Sequence, residues 1–482
     1  MHRLLYCLLL TLALPVTAQN GDDDRRDAYD LPALGDASSS RFSTEQEYEL
    51  GRAWLKAFRS RVETVSDPLM QSYLEDLVYR LARHSSLADK RLELVIVDNP
   101  ELNAFAVPGG VIGVHNGLLR YTENESQLAG VLSHELAHLS QRHFARSLDK
   151  QKAGNLSMMA GLLAGIVLAA TTGSDAGMAA IATGQAAAMQ SQLRFSREHE
   201  QEADRIGMQT LAKAGMDPNG VPSMFEIMNR RLRFNSNRPP EFLLTHPLTD
   251  SRISDSANRA RQFERGVYTD SIEFQLMKRR AQLALADNKR ELLAHWRDQQ
   301  KNDPSEANGY GIAITHIALD QWQEAEAALQ PLVDDAPHRI TYRVAQAEIL
   351  AGQKAFERAI ALLRQQLEIN PGNHALTMTL ADVLQRADRA PEAEQLLAEH
   401  SKKRPNDPAL WYQLAELHGL SGNILGVHTA RAEYFILRGF LDSAEKHLHY
   451  AWPLTAENSL ARHRLRQRLR DLQELRDTLK RF

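Results

Sequence analysis

A regular repeat of about 34 residues in the C-terminal half is the feature that most limits how this chain can fold. Prolines recur there at intervals of 33, 34 and 34 residues, at Pro304, Pro337, Pro371 and Pro405. Alanines keep the same interval in two sets, which are Ala313, Ala347, Ala381 and Ala415, and Ala325, Ala359 and Ala393. Small residues at fixed positions let two antiparallel helices cross closely, and stacked helix pairs share one core. The sequence therefore predicts an α-solenoid over residues 305–450.

The repeat resembles a tetratricopeptide array, although the Trp and Tyr of the full consensus are mostly missing. After Ala415 the rhythm shifts, because Ala432 and Ala444 are spaced by 12 residues but stand out of phase. We therefore expect the fourth unit to share a helix with the segment that follows, and a final helix with a leucine face to cap the array. Arrays of this kind usually bind an extended segment of another protein, so the repeats predict protein partners.

The first residues have the pattern of a signal peptide. Arg3 precedes an apolar stretch over residues 4–14, and small residues follow Pro15 up to Ala18. This stretch is shorter than the roughly 20 residues that span a bilayer. We expect cleavage after Ala18, a periplasmic protein, and a flexible arm over residues 19–40. Since Cys7 is the only cysteine, disulfides and thiol catalysis are excluded for the mature chain.

Charge excludes one further class of partner. The 482 residues contain 57 Lys and Arg against 61 Asp and Glu, which gives a formal net charge of −4. A chain with this balance has no general attraction for the phosphates of nucleic acid. We therefore expect no nucleic-acid partner.

A helical pattern over residues 126–146 contains the motif His134-Glu135-Leu136-Ala137-His138. Residues four apart on a helix differ by about 40° around its axis, so both imidazoles can bind one tetrahedral zinc ion. Glu135 can take the proton of an attacking water as general base, as in the zinc metalloproteases. His143 follows His138 by five positions, and on a continuous helix it would face away, so we expect it to be solvated.

The third zinc ligand is expected from the acidic stretch over residues 197–204, where Glu198, Glu200 and Glu202 are candidates. On a helix Glu200 and Asp204 share one face, whereas Glu202 points nearly opposite. We therefore predict Glu200 as the ligand. Asp204 is predicted to accept a hydrogen bond from the far nitrogen of a zinc histidine and so to orient it.

These motifs, with the stretch Asn103-Ala104-Phe105-Ala106-Val107-Pro108-Gly109-Gly110, resemble the HtpX-like and prenyl-protein-processing zinc endopeptidases. The signal peptide and repeat tail are similar to those of periplasmic members of this family in Gram-negative bacteria. The resemblance implies one zinc ion and endopeptidase activity on unfolded or misassembled outer-membrane proteins. It also implies cooperation with the β-barrel assembly machinery, including maturation of the lipopolysaccharide-transport barrel.

The predicted fold is mainly α. We expect a zincin-like metalloprotease domain with a small β-sheet over residues 41–265, followed by a tetratricopeptide-like solenoid with a capping helix over residues 266–482.

We expect roles for three further parts of the chain, the first two of them implied by the family resemblance. Asn103, Ala104 and Phe105 would form an edge strand beside the zinc, where an extended substrate can pair with the backbone; the alternative is an ordinary hairpin. His246 by itself is typical of a loop, but the resemblance implies that it fills the fourth zinc position and keeps the enzyme latent. Arg252 is expected to stabilise the tetrahedral oxyanion.

One apolar run and one competing function stay open. Residues 158–170, with the Gly- and Ala-rich sequence to Met189, form either packed helices or a mobile lid that contacts the membrane or an assembly partner, and we favour the lid.

The competing function is a chaperone or scaffold in which the metal is structural or latent. Glu135 favours an enzyme, because a structural zinc site has no need of a general base.

Overall fold

The computed structural model describes residues 43–150, 196–234, 240–264 and 266–480. The predicted signal peptide, the arm over residues 19–40 and the apolar run over residues 158–189 lie outside these described residues. Among the helices that the structure describes, none combines the length and the apolar character needed to cross a membrane.

A small sheet lies at the centre of the N-terminal half. Its strands, and the two helices that precede them, are α1 (Thr44–Arg59), α2 (Pro68–His84), β1 (Glu93–Val97), β2 (Ala104–Val107) and β3 (Val111–His115). The strand order is β1-β3-β2, with β1 parallel and β2 antiparallel to β3, so β2 is an edge strand as predicted. Gly109 and Gly110 in the turn have φ values of 84° and 78°, a region that glycine adopts without strain.

Seven further helices complete this half in the described residues: α3 (Asn116–Tyr121), α4 (Glu125–Ser140), α5 (His143–Lys150), α6 (Arg197–Lys213), α7 (Gly220–Phe234), α8 (Phe242–Thr245) and α9 (Asp250–Ala260). Helix α4 is buried along most of its length and packs against α2, α6, α7 and β2. It crosses α6 at Gly207, where a Cβ atom would lie 3.0 Å from the backbone nitrogen of His134. Glycine at this crossing lets α6 approach the motif helix closely.

The single helix predicted over residues 126–146 is wrong, because the chain breaks it. Helix α4 ends at Ser140 and α5 begins at His143. Between them Arg142 has a φ of 48°, in the left-handed region that a right-handed helix cannot contain. The side chains after Arg142 therefore point in directions that the spacing does not predict.

The C-terminal half is a stack of helices, as the repeat predicts. Its members are α10 (Ile272–Ala284), α11 (Lys289–Asn302), α12 (Glu306–Ile317), α13 (Trp322–Asp335), α14 (Ile340–Gly352), α15 (Phe356–Ile369), α16 (His374–Arg386), α17 (Ala390–His400), α18 (Pro408–Leu420), α19 (Ile424–Leu437), α20 (Leu441–Ala451) and α21 (Leu460–Lys480). The periodic alanines of both sets are buried. Helix α19 packs against both α18 and α20, as neighbouring helices do along the whole stack, so the shared helix expected after Ala415 stays a prediction.

The stack folds back onto the N-terminal half. Helix α2 packs against α10 and α16, and the last helix, α21, packs against α1 as well as α20. Arg280 on α10 bonds the carboxylate of Asp67, which caps α2, over 2.7 Å. Because one apolar core includes residues of α2, α4 and the repeat helices, the boundary between residues 265 and 266 stays a prediction.

Candidate metal centre

Four buried side chains converge at one point beside α4. His134 and His138 come from α4, Glu200 from the first turn of α6, and His246 from the residue that follows α8. One donor atom from each lies within 4.8 Å of the other three. None of the four residues is more than 4% exposed. The structure thus brings together the four residues that are predicted from the sequence as metal ligands.

The distances between these donor atoms fit a tetrahedral metal ion. His138 Nε2 lies 3.0 Å from His134 Nε2, and His246 Nδ1 lies 3.4 Å from the same atom. Glu200 Oε1 lies 3.0 Å from His246 Nδ1 and 3.5 Å from His138 Nε2. Ligand atoms about 2.0–2.1 Å from a tetrahedral ion are separated by about 3.3–3.4 Å. The spacing and the chemistry of the four donors therefore match what such an ion requires.

Asp204 lies against the far nitrogen of His134, at 2.9 Å from Oδ1 to Nδ1. Arg252 on α9 holds this carboxylate from the other side, with Nε and Nη2 each 2.7 Å from its oxygens. The remaining nitrogen, Nη1, lies 2.7 Å from Glu200 Oε2 and donates to the carbonyl of Pro247. All three guanidinium nitrogens are thus engaged with the protein. Arg252 thus holds Asp204 and Glu200 in place, and its predicted oxyanion role stays a prediction.

Glu135 lies between the donor cluster and strand β2. Its carboxylate accepts a hydrogen bond from the backbone of Ala106, and Oε1 lies 3.6 Å from His246 Nε2. Burial raises the pKa of Glu135 above its ordinary value. A carboxyl group with a raised pKa, held beside the donors, suits the transfer of a proton near neutral pH.

Asn103, Ala104 and Phe105 are buried in this arrangement, so their role in substrate binding stays a prediction. The ring of Phe105 fills the space above Gly113 and packs edge-on against Trp54. The backbone of β2 can still bind a substrate. The carbonyl of Asn103 accepts a hydrogen bond from the N–H of His115 on β3, and backbone groups alternate in direction along a strand. The backbone of Ala104 and Ala106 therefore points to the edge of β2 that faces away from β3.

His143 is completely buried, and the expectation that it is solvated is wrong. Its Nδ1 lies 2.9 Å from His138 Nδ1, and its Nε2 lies 3.1 Å from Glu202 Oε2. The prediction from the five-residue spacing assumed one continuous helix, whereas α4 ends before Arg142. No Gly or Pro stands between residues 139 and 143 to mark the break, so the sequence carries no signal for this contact.

Glu200 and His138 already have the protonation state that a bound cation requires, whereas His134 does not. Burial alone would raise the pKa of Glu200, but the adjoining His246 and His134 hold it well below its ordinary value. Burial, and then the charge of His134, hold the pKa of His138 well below its ordinary value. Burial alone would lower the pKa of His134, yet the hydrogen bonds that it donates to Asp204 and Glu200 raise it to about 9. Metal binding at His134 Nε2 therefore has to displace a proton.

Fold and site together define a metal-dependent peptidase, in which two histidines and an intervening glutamate project from one buried helix toward a carboxylate from a second helix. The family model for peptidase family M48 matches residues 68–260, and a tetratricopeptide repeat model matches residues 350–417. The chain belongs to family M48 and, within it, to the group of the beta-barrel assembly-enhancing proteases.

Two relatives match over nearly the whole chain, and a third matches less than half of it. The beta-barrel assembly-enhancing protease of Escherichia coli strain K12 is 33% identical over 456 residues, which are 93% of this chain and 92% of that protein. A putative beta-barrel assembly-enhancing protease of Vibrio cholerae is 32% identical, with 98% of each chain covered. The mitochondrial metalloendopeptidase OMA1 of Bos taurus is 29% identical over 44% of this chain and 40% of its own.

Proposed function

We propose that this chain is a periplasmic zinc endopeptidase that cleaves unfolded or misassembled outer-membrane proteins. We further propose that its repeat array engages the β-barrel assembly machinery and assists barrel assembly, including that of the lipopolysaccharide-transport barrel. The support is the match to proteins named beta-barrel assembly-enhancing proteases over nearly their full length. The signal-peptide pattern of residues 1–18 supports the location.

Zinc is proposed because of the chemistry of the donors. Three imidazole nitrogens and one carboxylate oxygen form the set. Calcium and magnesium prefer oxygen ligands in larger numbers, whereas zinc is commonly held by His and carboxylate ligands in tetrahedral geometry. Asp204 would fix the ring of His134 in the orientation that binding requires.

The observation that carries the enzymatic proposal is the position of Glu135 between the donors and an edge strand. When bound, zinc supplies Lewis acidity, which lowers the pKa of water to about 7 and polarises a carbonyl. Glu135 takes the proton of the attacking water and delivers it to the leaving amine. The backbone of Ala104 and the carbonyl of Ala106 pair with the substrate chain and hold it extended, while the Ala106 N–H keeps Glu135 beside it. Backbone pairing gives low sequence selectivity, which suits unfolded substrates.

His246 has to leave before hydrolysis can occur. With His134, His138 and Glu200 it completes four protein donors, and a closed set of four is typical of a structural site, whereas a catalytic site keeps one position open. The described arrangement is therefore the latent state. The same closed set favours a second activity, namely chaperone-like support of barrel assembly by the repeat array while the peptidase is latent.

Removal of the general base tests the proposal. We would express the full chain with His246→Ala, with and without Glu135→Gln, and measure zinc content and cleavage of an unfolded outer-membrane barrel protein. Glu135→Gln keeps the side-chain volume, so it should retain one zinc ion per chain and lose hydrolysis by at least about 100-fold. A chelator should abolish the cleavage by His246→Ala.

Two results would contradict the proposal. Cleavage that survives Glu135→Gln excludes this residue as the base, and a purified wild-type chain that binds no zinc excludes the metal. Barrel assembly in cells that express Glu135→Gln separates the two activities: retained assembly supports the chaperone-like role, and its loss shows that hydrolysis is required.

A further inference from the structure

The two histidines of the motif helix are held by different partners at their far nitrogens. His134 Nδ1 meets the carboxylate of Asp204 at 2.9 Å. His138 Nδ1 instead meets another imidazole, since it lies 2.9 Å from Nδ1 of the buried His143. A carboxylate lies on the other side of His143, whose Nε2 is 3.1 Å from Glu202 Oε2.

Metal binding at His138 would determine which ring nitrogen carries the proton in His138 and in His143. The nitrogen of His138 that faces the donor cluster is Nε2, and a metal-bound nitrogen carries no proton. The proton of neutral His138 is then on Nδ1, which donates to His143 Nδ1. His143 must accept at Nδ1, so its own proton is on Nε2, and this group donates to Glu202. Each of these short contacts is satisfied by this one arrangement of two neutral rings and a carboxylate.

We propose that His143 is a positioning residue for the metal site: it accepts the Nδ1–H of His138 and thereby aims His138 Nε2 at the donor cluster, while Glu202 fixes the tautomer of His143. This inference rests on the proposed zinc site. His143 is not one of the four donor residues, so it would act on the metal only through His138.

The surroundings hold His143 rigidly enough for this task. Its ring stacks on His199 with centroids 4.4 Å apart and planes inclined by 9°. Arg146 Nη1 lies 2.9 Å from the same Glu202 oxygen and keeps that carboxylate in place. His143 and Arg146 belong to α5, whereas His199 and Glu202 belong to α6, the helix that carries Glu200. The arrangement therefore ties the orientation of His138 to the helix that supplies the carboxylate donor.

Asparagine and glutamine at position 143 separate this role from packing. The amide oxygen of Asn can replace the acceptor at Nδ1, whereas Gln places its amide near Nε2 and leaves His138 without a partner. We would measure zinc affinity of the full-length protein by competition with a chromogenic chelator. His143→Gln and His143→Ala should bind zinc about 10–100-fold more weakly, and His143→Asn should retain most of the affinity. His84→Asn, at an exposed histidine of α2, is the matched control and should bind as wild type does.

The tautomers give a second measurement that needs no variant. Nitrogen-15 spectra of the histidine rings in the zinc-loaded wild type should show His143 protonated at Nε2 and His138 at Nδ1. Equal zinc affinity for His143→Asn and His143→Gln, or a proton on His143 Nδ1, would overturn the inference. A wild type that binds no zinc is a different result, because it rejects the proposed zinc site itself.

Discussion

The ring of Phe242 stacks on the ring of His246, with centroids 4.5 Å apart and planes inclined by 23°. Phe242 is buried, and its backbone N–H donates to the carbonyl of Leu102, just before the edge strand β2. The segment that carries His246 is therefore fixed both at the metal donors and at the start of the strand proposed to bind substrate. Release of this segment would open the fourth donor position and free the start of the edge strand in one movement.

Loss of this stacking should activate the peptidase. Phe242→Ala removes an aromatic contact worth about 0.5–1.5 kcal/mol, and the released state gains population by about 2–10-fold. We expect the initial rate of cleavage of an unfolded barrel protein to rise by that factor. His246→Ala should give a larger increase, because it removes the fourth donor itself, and Phe242→Leu should lie between wild type and Phe242→Ala. An unchanged rate for Phe242→Ala beside an active His246→Ala would show that the stacking does not hold the latent state.

Arg252 should matter for stability more than an oxyanion-binding residue would. Arg252→Met leaves the buried carboxylates of Asp204 and Glu200 without their cation, which costs about 3–5 kcal/mol of unfolding free energy. Urea denaturation measures this change. Arg259→Met on the same helix is the matched control, since the pair of Arg259 with Asp255 is exposed by 39% and 41% and should contribute less than about 1 kcal/mol. If Arg252→Met loses activity but keeps its stability, the result would instead support the predicted oxyanion role of Arg252.

Arg404 should couple the repeat array to the N-terminal half. In the loop before α18 its Nη1 and Nη2 lie 2.9 and 2.7 Å from the two carboxylate oxygens of Glu75 on α2. These side chains are 24% and 23% exposed, so the bidentate pair is partly desolvated. A double-mutant cycle with Arg404→Ala and Glu75→Ala should give a coupling energy of about 0.5–3 kcal/mol from urea unfolding. Strictly additive effects of the two substitutions would show that the pair does not join the two halves.

Lys56 should destabilise the protein at neutral pH. Burial, followed by the charges of Arg59 and Arg52, lowers the pKa of Lys56 from 10.5 to about 8. The protonated side chain is thus disfavoured in the folded state, and this penalty is complete below pH 8 and disappears as the pH rises toward 10.5. Lys56→Met should raise the unfolding free energy by about 1–3 kcal/mol at pH 7, allowing for partial exposure. The gain should shrink between pH 8 and 10.5, and the exposed Lys90→Met should show none.

Features that depend on residues close together in the sequence could be predicted from the sequence. The periodic alanines predict the helix pairs, since a small residue is needed wherever two neighbouring helices cross, and the structure confirms this by burying them. The edge strand and its Gly109-Gly110 turn are confirmed for the same reason, because glycine adopts the positive φ of both positions without strain. His134 and His138 project together because four residues make about one helical turn.

The tertiary structure decided the contacts that sequence spacing cannot describe. A left-handed residue at Arg142 turns His143 inward against His138, and the packing of α9 on α6 and α7 directs Arg252 to Asp204. Phe242 lies one helical turn before His246, so their contact is local, but the two rings meet His134 only because α8 docks beside α4. The sequence by itself determined which residues share a helix face. The close approach of helices at Gly207 determined which faces meet, because side-chain contacts over long sequence separations depend on packing and not on spacing.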